Sequence, residues 1–184
     1  MSADPVVSLL VPFEEMKKQA RAFYGSLGCS VWEKDIVLAV QSLTLPNYAR
    51  KFNNNKEFSQ NGKRVIYCNS SLATVGDAFI DTYILRRVFS AEKSAKELSD
   101  ILHGSNVNGK PGLSTNGTMN AFGEELLGGH LYSVNDIPVG DEKCNEKKAK
   151  AYATSFEAVL GFLCLIDYDA ALRQLERFYK DKIL

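Results

Sequence analysis

The sequence predicts an all-α domain. Apolar residues recur at helical spacing over several stretches, no segment alternates apolar and polar residues as a strand does, and the two longest apolar stretches contain no proline. A chain of 184 residues, 45% of them apolar, can bury a core. We therefore expect one helical domain over residues 1–184, without internal repeats.

The N-terminal part of the chain predicts two helices and a loop. Pro12 permits a helix start after an extended lead, and helix formers with acidic residues before basic ones follow over residues 14–23. A second helix is predicted for residues 34–45, where the apolar residues form one stripe, and Pro46 is expected to end it. Residues 50–63 are polar and rich in turn formers, which indicates an exposed loop.

The rest of the chain predicts five more helices, which cover residues 72–89, 91–102, 120–127, 151–166 and 168–179. Residues 103–118 contain four glycines and three asparagines, which indicates a flexible connection, and residues 132–146 are predicted as another loop. The stretch 151–166 is apolar nearly all round. We therefore expect it to be the central core helix.

The charged residues balance, with 22 basic and 22 acidic side chains, so the chain has no overall electrostatic attraction to nucleic acid. A shaped groove with a local basic rim stays open. The four cysteines show no CxxC spacing and there are only two histidines, which argues against a zinc site. The N-terminus lacks the pattern of a secretory signal, and no apolar run is long enough to cross a bilayer. We expect a cytoplasmic protein without a membrane partner, and a nuclear or organellar location is also open.

Two carboxylates interrupt the apolar stretch 72–89. Asp77 and Asp81 are four residues apart, so on a helix they share one face. A buried carboxylate is costly unless it is paired, hydrogen-bonded or bound to a metal. One interpretation, which needs no function, is that these side chains pair with arginines such as Arg86 or Arg87.

Glu157 is the only acidic residue in the stretch 151–166, and a buried ion pair with Arg173 or Lys150 is one explanation for it. The other explanation starts from the two apolar helices, which are expected to pack together because each carries an out-of-place carboxylate. That packing would bring Asp77 close to Glu157.

Such a cluster, with Asp81 one turn away from Asp77, would be unstable without a cation, because neighbouring carboxylates repel one another and raise one another's pKa. Mg²⁺ is the ordinary remedy, since it keeps several waters and needs only one or two carboxylates. The residues therefore predict a metal-dependent phosphodiesterase site between two core helices.

Two stretches resemble the ribonuclease III family. The family's signature helix runs roughly Asn-Glu-Arg-Leu-Glu-Phe-Leu-Gly-Asp-Ala, and this chain has Asn69-Ser-Ser-Leu-Ala-Thr-Val-Gly-Asp-Ala78. A later family helix runs roughly Ala-Asp-Thr-Phe-Glu-Ala-Leu-Leu-Gly, and this chain has Ala153-Thr-Ser-Phe-Glu-Ala-Val-Leu-Gly161. The resemblance implies the helical bundle of the endonuclease domain. It starts near residue 24, which leaves residues 1–23 as an N-terminal extension and no room for the usual double-stranded-RNA-binding domain.

The chain departs from the family pattern at the carboxylate positions. Of the four carboxylates in a typical site, Asp77 and Glu157 are present, and Ala73 and Thr154 replace the other two. The Mini-III branch, whose members are active nucleases, is similar in having Ala and Thr at these positions and in lacking the RNA-binding domain. Thr74 replaces an aromatic residue that usually docks into the partner subunit.

The resemblance implies an endoribonuclease that hydrolyses phosphodiester bonds of double-stranded RNA with Mg²⁺, or with Mn²⁺, and leaves 5′-phosphate and 3′-hydroxyl ends. Asp77 and Glu157 would be the catalytic metal ligands, and the supporting residues would be Asp81, Thr154, Ala73 and Gly76. The candidate phosphate contacts are Lys63, Arg64, Lys147, Lys148 and Lys150. A solvated surface is the alternative role for these five. The implied partners are double-stranded RNA, a second copy of the chain in a homodimer and a separate RNA-binding protein.

Two other functions stay open. A non-catalytic ribonuclease III-like protein would use the fold for RNA binding or dimerisation in a ribosomal or RNA-processing complex, and the two missing carboxylates and zero net charge favour it. Retention of Asp77, Glu157 and the intact Gly76-Asp77-Ala78 sequence opposes it. A helical metal-dependent nucleotide hydrolase fits the carboxylates but not the order and spacing of the two motifs.

Overall fold

The structure, a computed structural model, describes residues 10–104, 112–128, 130–132 and 142–183. Within these ranges the regular secondary structure is helical and contains no strand, so the predicted all-α fold is confirmed. The helices are α1 (Phe13–Ser26), α2 (Ile36–Ser42), α3 (Pro46–Asn54), α4 (Ser70–Val88), α5 (Ala95–His103), α6 (Asn116–Leu127), α7 (Glu142–Ile166) and α8 (Tyr168–Tyr179), and a short 3₁₀ helix (Glu33–Asp35) precedes α2. In that part of the chain, no helix combines the length and hydropathy that crossing a bilayer requires.

Helix α7 lies at the centre of the fold. It packs against α2, α4, α6 and α8, and its contacts with α4 and α6 are the most extensive. Its apolar side chains have no exposed surface over two turns, at Phe156, Ala158, Val159, Leu160, Phe162 and Leu163. The stretch predicted to form the central core helix does so because apolar residues occupy nearly every face of it.

The first two helices are tied to the core through aromatic residues. The Tyr24 ring of α1 lies 4.4 Å from the Phe162 ring of α7, measured between centroids. The hydroxyl of Tyr132 donates a hydrogen bond to the carbonyl of Met16, at 3.1 Å, and its backbone N–H donates to the carbonyl of Leu43, at 3.0 Å. These bonds join α1 and the residue that follows α2 to the segment after α6.

Local caps fix the two helices that flank α4. At the start of α5, Ser94 and Glu97 form a reciprocal capping box, which places His103 in the last turn of this helix. At the start of α8, the Asp167 side chain accepts a hydrogen bond from the backbone N–H of Ala170, at 2.9 Å. This cap directly follows the end of α7, so α8 turns back onto the core at once.

The sequence prediction is wrong over α3. Residues 50–54 belong to this helix, whereas the loop was predicted for residues 50–63, and Pro46 lies in the first turn of α3. Proline is tolerated there because the first N–H groups of a helix have no intrahelical partner. Tyr48 and Phe52, four residues apart, are buried on one face, and this burial outweighs the turn-forming composition.

Helix α7 begins earlier than predicted. It starts at Glu142, so residues 142–146 are helical and not part of the loop predicted for residues 132–146. The ends of the other predicted helices agree with the observed ones to within four residues. The predicted lead and connections also include residues 1–9, 105–111 and 133–141, which lie outside the described residues.

Candidate functional site

Helices α4 and α7 meet at two glycines, Gly76 and Gly161. A Cβ atom at Gly76 would overlap the carbonyl oxygen of Glu157 and lie 2.9 Å from the backbone nitrogen of Gly161. A Cβ atom at Gly161 would overlap the carbonyl oxygen of Leu72 and lie 3.0 Å from the backbone nitrogen of Gly76. The two backbones therefore touch, and this contact holds Glu157 beside the turn of α4 that carries Asp77.

The three predicted carboxylates lie at different depths around this contact. Glu157 is half-buried, and the Asp81 side chain keeps 24% of its surface exposed. Asp77 is exposed, so the expectation that it is an uncomfortable acid inside a buried helix is wrong. Helix α4 buries the face that carries Gly76 and Ile80, and it leaves Asp77 at the surface. Asp77 is thus open to solvent, and it lies next to the half-buried carboxylate of Glu157.

The carboxylates act on one another electrostatically. Burial, together with the negative charges of Asp77 and Asp81, raises the pKa of Glu157 to about 7 against the opposing effect of Lys150. Partial burial, followed by the charge of Asp81, also raises the pKa of Asp77. Burial raises the pKa of Tyr179, and the same three carboxylates contribute to that rise. The structure therefore brings Asp77, Asp81 and Glu157 into one electrostatic cluster, as the packing argument predicted.

His103 also belongs to this neighbourhood, and no motif in the sequence predicts it. Its Nε2 atom lies 3.6 Å from Oδ2 of Asp81, and its charge opposes the rise in the pKa of Asp77. The other carboxylate oxygen of Asp81, Oδ1, is buried without a hydrogen-bond partner among the described residues. The histidine lies on α5, and only the packing of α5 on α4 brings it to the aspartates.

Of the basic partners proposed as a purely structural explanation, Arg86, Arg87 and Arg173 form no ion pair with the three carboxylates among the described residues. Arg87 pairs with Glu176 of α8, at 2.9 Å, and not with an aspartate of α4. Arg173 points toward Gly28, where its Nη2 atom would lie 3.7 Å from an added Cβ. Lys150 does act on Glu157, whose pKa it lowers, but its effect is the smallest of the contributions. Glu157 therefore stays close to two negative charges with weak compensation.

The three candidate lysines of α7, which are Lys147, Lys148 and Lys150, do not share one face. Lys150 precedes Glu157 by seven residues and Lys148 by nine, and each residue turns an α-helix by about 100°. Lys150 thus lies within about 20° of the Glu157 direction, Lys147 at about 80° from it, and Lys148 on the opposite side. Lys150 and Lys147 are exposed, whereas Lys148 is half-buried. Of the three, Lys150 is best placed to act together with the carboxylates.

The other two candidate phosphate contacts, Lys63 and Arg64, follow the turns after α3. Lys63 is exposed. The guanidinium of Arg64 lies over the ring of Phe13, at 5.1 Å from its centroid, and its Nη1 atom is 3.7 Å from Oε1 of Glu14. Arg64 therefore lies against α1 beside an acidic residue, which reduces the charge that it can offer to a phosphate.

Ala73 and Thr154, which the sequence resemblance would align with further carboxylates of ribonuclease III, lie close to the cluster along the chain. Ala73 is buried on α4, one turn before Asp77. Thr154 is half-buried on α7, one turn before Glu157. Thr74 is exposed, and its hydroxyl donates to the carbonyl of Ser70, at 3.3 Å. Ala73 and Thr154 thus leave these two positions, one turn before each predicted ligand, without a charge.

The donor set fits a hard divalent cation. All three acidic side chains offer oxygen atoms, and Oδ1 of Asp81 lacks a partner among the described residues. The raised pKa of Glu157 reflects burial first and then repulsion by Asp77 and Asp81, which a cation would relieve. Across the described ranges, no three His, Cys, Asp or Glu side chains are close enough to form a complete ligand group. Two carboxylates completed by water are the arrangement that Mg²⁺ commonly uses.

Comparisons with models of protein families, with curated proteins and with solved structures found no match. The functional argument therefore rests on the residues themselves. Its structural support is the carboxylate cluster at the contact of α4 with α7.

Proposed function

We propose that this chain is a ribonuclease III-type endoribonuclease that hydrolyses phosphodiester bonds of double-stranded RNA with Mg²⁺ and leaves 5′-phosphate and 3′-hydroxyl ends. One observation carries the proposal. The carboxylates of Asp77 and Glu157 come from two helices whose backbones touch, and burial together with the charge of Asp77 raises the pKa of Glu157 to about 7. Proteins retain such clusters where they bind cations or carry out chemistry.

In this proposal Asp77 and Glu157 hold Mg²⁺, or Mn²⁺, and Asp81 supports them from one turn along α4. The bound cation would lower the pKa of a water molecule and stabilise the negative charge on the scissile phosphate. The half-buried position of Glu157 keeps its carboxylate poorly solvated and thus ready to bind a cation, whereas the exposed position of Asp77 leaves the site open to a phosphate.

The contacts to RNA would involve backbone phosphates and not base edges, because the deep groove of A-form RNA hides those edges. Lys150 is the first candidate, since it lies on the Glu157 side of α7, and Lys147 and Lys63 are exposed further candidates. The proposal includes the family's homodimer and a separate protein that supplies the RNA-binding domain. It also places the chain in the cytoplasm, where its duplex substrates would be processed.

The test is cleavage of end-labelled double-stranded RNA by the purified protein in Mg²⁺, with three comparisons. Glu157→Gln keeps the size of the side chain and removes its charge, and Asp77→Asn does the same on α4. Glu92→Gln, which removes an exposed carboxylate from the turn before α5, is the matched control. We expect cleavage by the wild type and by Glu92→Gln and none by the other two variants. Ligation of the products to an RNA with a 3′-hydroxyl end checks for the 5′-phosphate.

A second function is favoured by Ala73 and Thr154, which replace two carboxylates of the typical site. In it the chain binds RNA or a second copy of itself in a ribosomal or RNA-processing complex and cleaves nothing. Wild type and Glu157→Gln would then be equally inert while both still bind duplex RNA. Binding alone does not separate the two functions, because electrostatic attraction to phosphates is expected in either case.

A further inference from the structure

A groove of about 460 Å³ lies between α4 and α8, on the side of α4 that faces away from Asp77. Its lining consists of Phe79, Thr82, Tyr83, Arg86, Arg87, Tyr168, Leu172 and Glu176. Phe79 and Arg86 follow Asp77 by two and nine residues, which turns them about 160–180° away from it on the helix. The groove is therefore separate from the carboxylate cluster, and its size is in the range of small-ligand sites, roughly 300–1,000 Å³.

One wall of the groove is aromatic. The rings of Phe79 and Tyr168 meet edge to face, with centroids 5.5 Å apart, and Tyr168 is half exposed. An exposed ring face next to a second ring is a surface on which a planar aromatic group stacks.

The other wall holds a polar group without a partner. Tyr83 is only 7% exposed, and its hydroxyl is buried with no hydrogen-bond partner among the described residues. The charges of Arg87 and Glu176, which both line the groove, act on this hydroxyl. A buried hydroxyl is normally bonded, and this one has almost no accessible surface, so a ligand that fills the groove can bond it once neighbouring side chains move aside. A purely apolar occupant would leave it unsatisfied.

The rim of the groove offers one positive charge. Arg87 is used internally, because its guanidinium lies 4.6 Å from the centroid of the Tyr83 ring and pairs with Glu176. Arg86, one residue earlier, is exposed and has no ion-pair partner in the described part of the chain. An arginine in this position binds a phosphate by charge-assisted hydrogen bonds.

We propose that the α4–α8 groove binds a nucleotide, with the base stacked on Tyr168, a polar group of the base or ribose hydrogen-bonded to the hydroxyl of Tyr83, and the phosphate bound by Arg86. These three features require a ligand with a flat ring, a hydrogen-bonding group and an anionic group in one small molecule. The nucleotide is either free or the unpaired end of a nucleic acid strand, and both offer the same chemistry. This site does not depend on the proposed nuclease activity.

The test is isothermal titration calorimetry of the full chain with adenosine 5′-monophosphate, in EDTA so that cation-dependent binding at the carboxylates does not contribute. We expect saturable binding that Arg86→Ala weakens at least tenfold. Tyr168→Ala should weaken it at least fivefold, whereas Tyr168→Phe, which keeps the ring, should retain it. Tyr83→Phe removes only the unpartnered hydroxyl and should weaken binding severalfold. Arg50→Ala on α3, which removes an exposed arginine far along the chain from the groove, is the matched control and should bind as the wild type does.

Adenosine and inorganic phosphate separate the two contacts. Arg86→Ala should weaken the binding of the nucleotide but not that of adenosine, and phosphate alone should bind much more weakly than the nucleotide. A 5′-phosphorylated single-stranded oligoadenylate is then compared with the mononucleotide. Tighter binding of the oligoadenylate that still depends on Arg86 and Tyr168 identifies a strand end as the ligand. Weaker binding of the oligoadenylate identifies the free nucleotide. The proposal is overturned if neither adenosine 5′-monophosphate nor the oligoadenylate shows saturable binding. It is also overturned if wild type, Arg86→Ala and Tyr168→Ala bind equally well. Since no cleavage is measured, failure of the nuclease proposal leaves this result unaffected.

Discussion

Gly76 of α4 and Gly161 of α7 lie against each other, and at each position the backbone of the other helix leaves no room for a Cβ atom. The atoms that a new methyl group would meet are backbone atoms, which a change of side-chain rotamer cannot move. The position of Glu157 relative to Asp77 depends on this contact, because the Cβ of residue 76 would meet the carbonyl oxygen of Glu157 itself.

We therefore expect Gly76→Ala and Gly161→Ala each to lower the free energy of unfolding by about 3 kcal/mol, since the helices must separate. For a chain of this size the loss corresponds to a fall in Tm of roughly 6–12 °C. Thermal denaturation followed by circular dichroism measures it.

Gly117→Ala is the control for these variants. Gly117 lies in α6, and a Cβ atom there would meet nothing within 4 Å. Alanine favours the helical conformation over glycine, so this variant should match the wild type or gain up to about 1 kcal/mol. Equal effects at positions 76, 117 and 161 would show that backbone propensity, and not helix contact, dominates.

The raised pKa of Glu157 predicts a stability that depends on pH. The folded protein holds this proton up to about pH 7, whereas the unfolded chain releases it near the ordinary value of 4.5. The folded state thus binds more protons between these values, and the contribution of Glu157 to stability falls as pH rises from about 4.5 to 7. We expect this fall to be about 2 kcal/mol, a reduced figure because the side chain is partly solvated.

Urea denaturation at several pH values measures this effect by comparison with Glu157→Gln, which has no proton to lose. The variant should match the wild type near pH 4.5 and exceed its stability at pH 8. Glu92→Gln should follow the wild type throughout. A difference between wild type and Glu157→Gln that does not change with pH would mean that Glu157 titrates normally.

The carboxylates of this cluster were found from the sequence because acids are rare inside apolar helices, and the two helices pack as that argument requires. Their surroundings were not predictable in the same way. Asp77 appears buried when its helix is taken alone, but which face of α4 meets solvent is decided by where α7 packs. His103 is 22 residues from Asp81 along the chain and comes near it through tertiary contact. The periodicity of apolar residues along the chain does not predict such tertiary contacts.

The wrong loop prediction over the end of α3 has a different cause. Its apolar residues Tyr48 and Phe52 have the spacing of a helix face, but the asparagines that follow are typical turn formers and predict a loop. Two hydrogen bonds show the structural role of one of these asparagines, Asn53. The amide of Asn53 donates to the carbonyl of Ile66 and accepts from its N–H, each at 2.9 Å, so it ties down the extended segment before α4. Asparagine here is a structural link between elements and not a turn former.

Cation binding predicts a second change in stability. If Asp77 and Glu157 bind Mg²⁺, the cation stabilises the folded state by about 1 kcal/mol or more once its concentration exceeds the Kd about tenfold. We expect Mg²⁺ at pH 8 to raise the Tm of the wild type, and to do so much less for Asp77→Asn and Glu157→Gln. The effect should shrink near pH 5, where Glu157 holds its proton.

Sodium chloride at matched ionic strength is the control for this measurement, because screening alone reduces repulsion among carboxylates. A rise in Tm that sodium chloride reproduces, or that both variants retain in full, would count against a cation site. Glu92→Gln should respond to Mg²⁺ as the wild type does.

The two faces of α7 predict different effects for its lysines on RNA binding. Lys150 lies in line with Glu157 and lowers its pKa, whereas Lys148 lies on the opposite side of the helix. If duplex RNA lies across the carboxylates, Lys150→Ala should weaken its binding and reduce the slope of log K against log salt concentration by about 1. Lys148→Ala removes the same charge from the same helix and should change neither quantity. Fluorescence anisotropy of labelled duplex RNA in Ca²⁺, over a series of salt concentrations, measures the affinity and the slope. Equal losses of affinity for the two variants would indicate attraction to the overall charge of the protein without a defined RNA path.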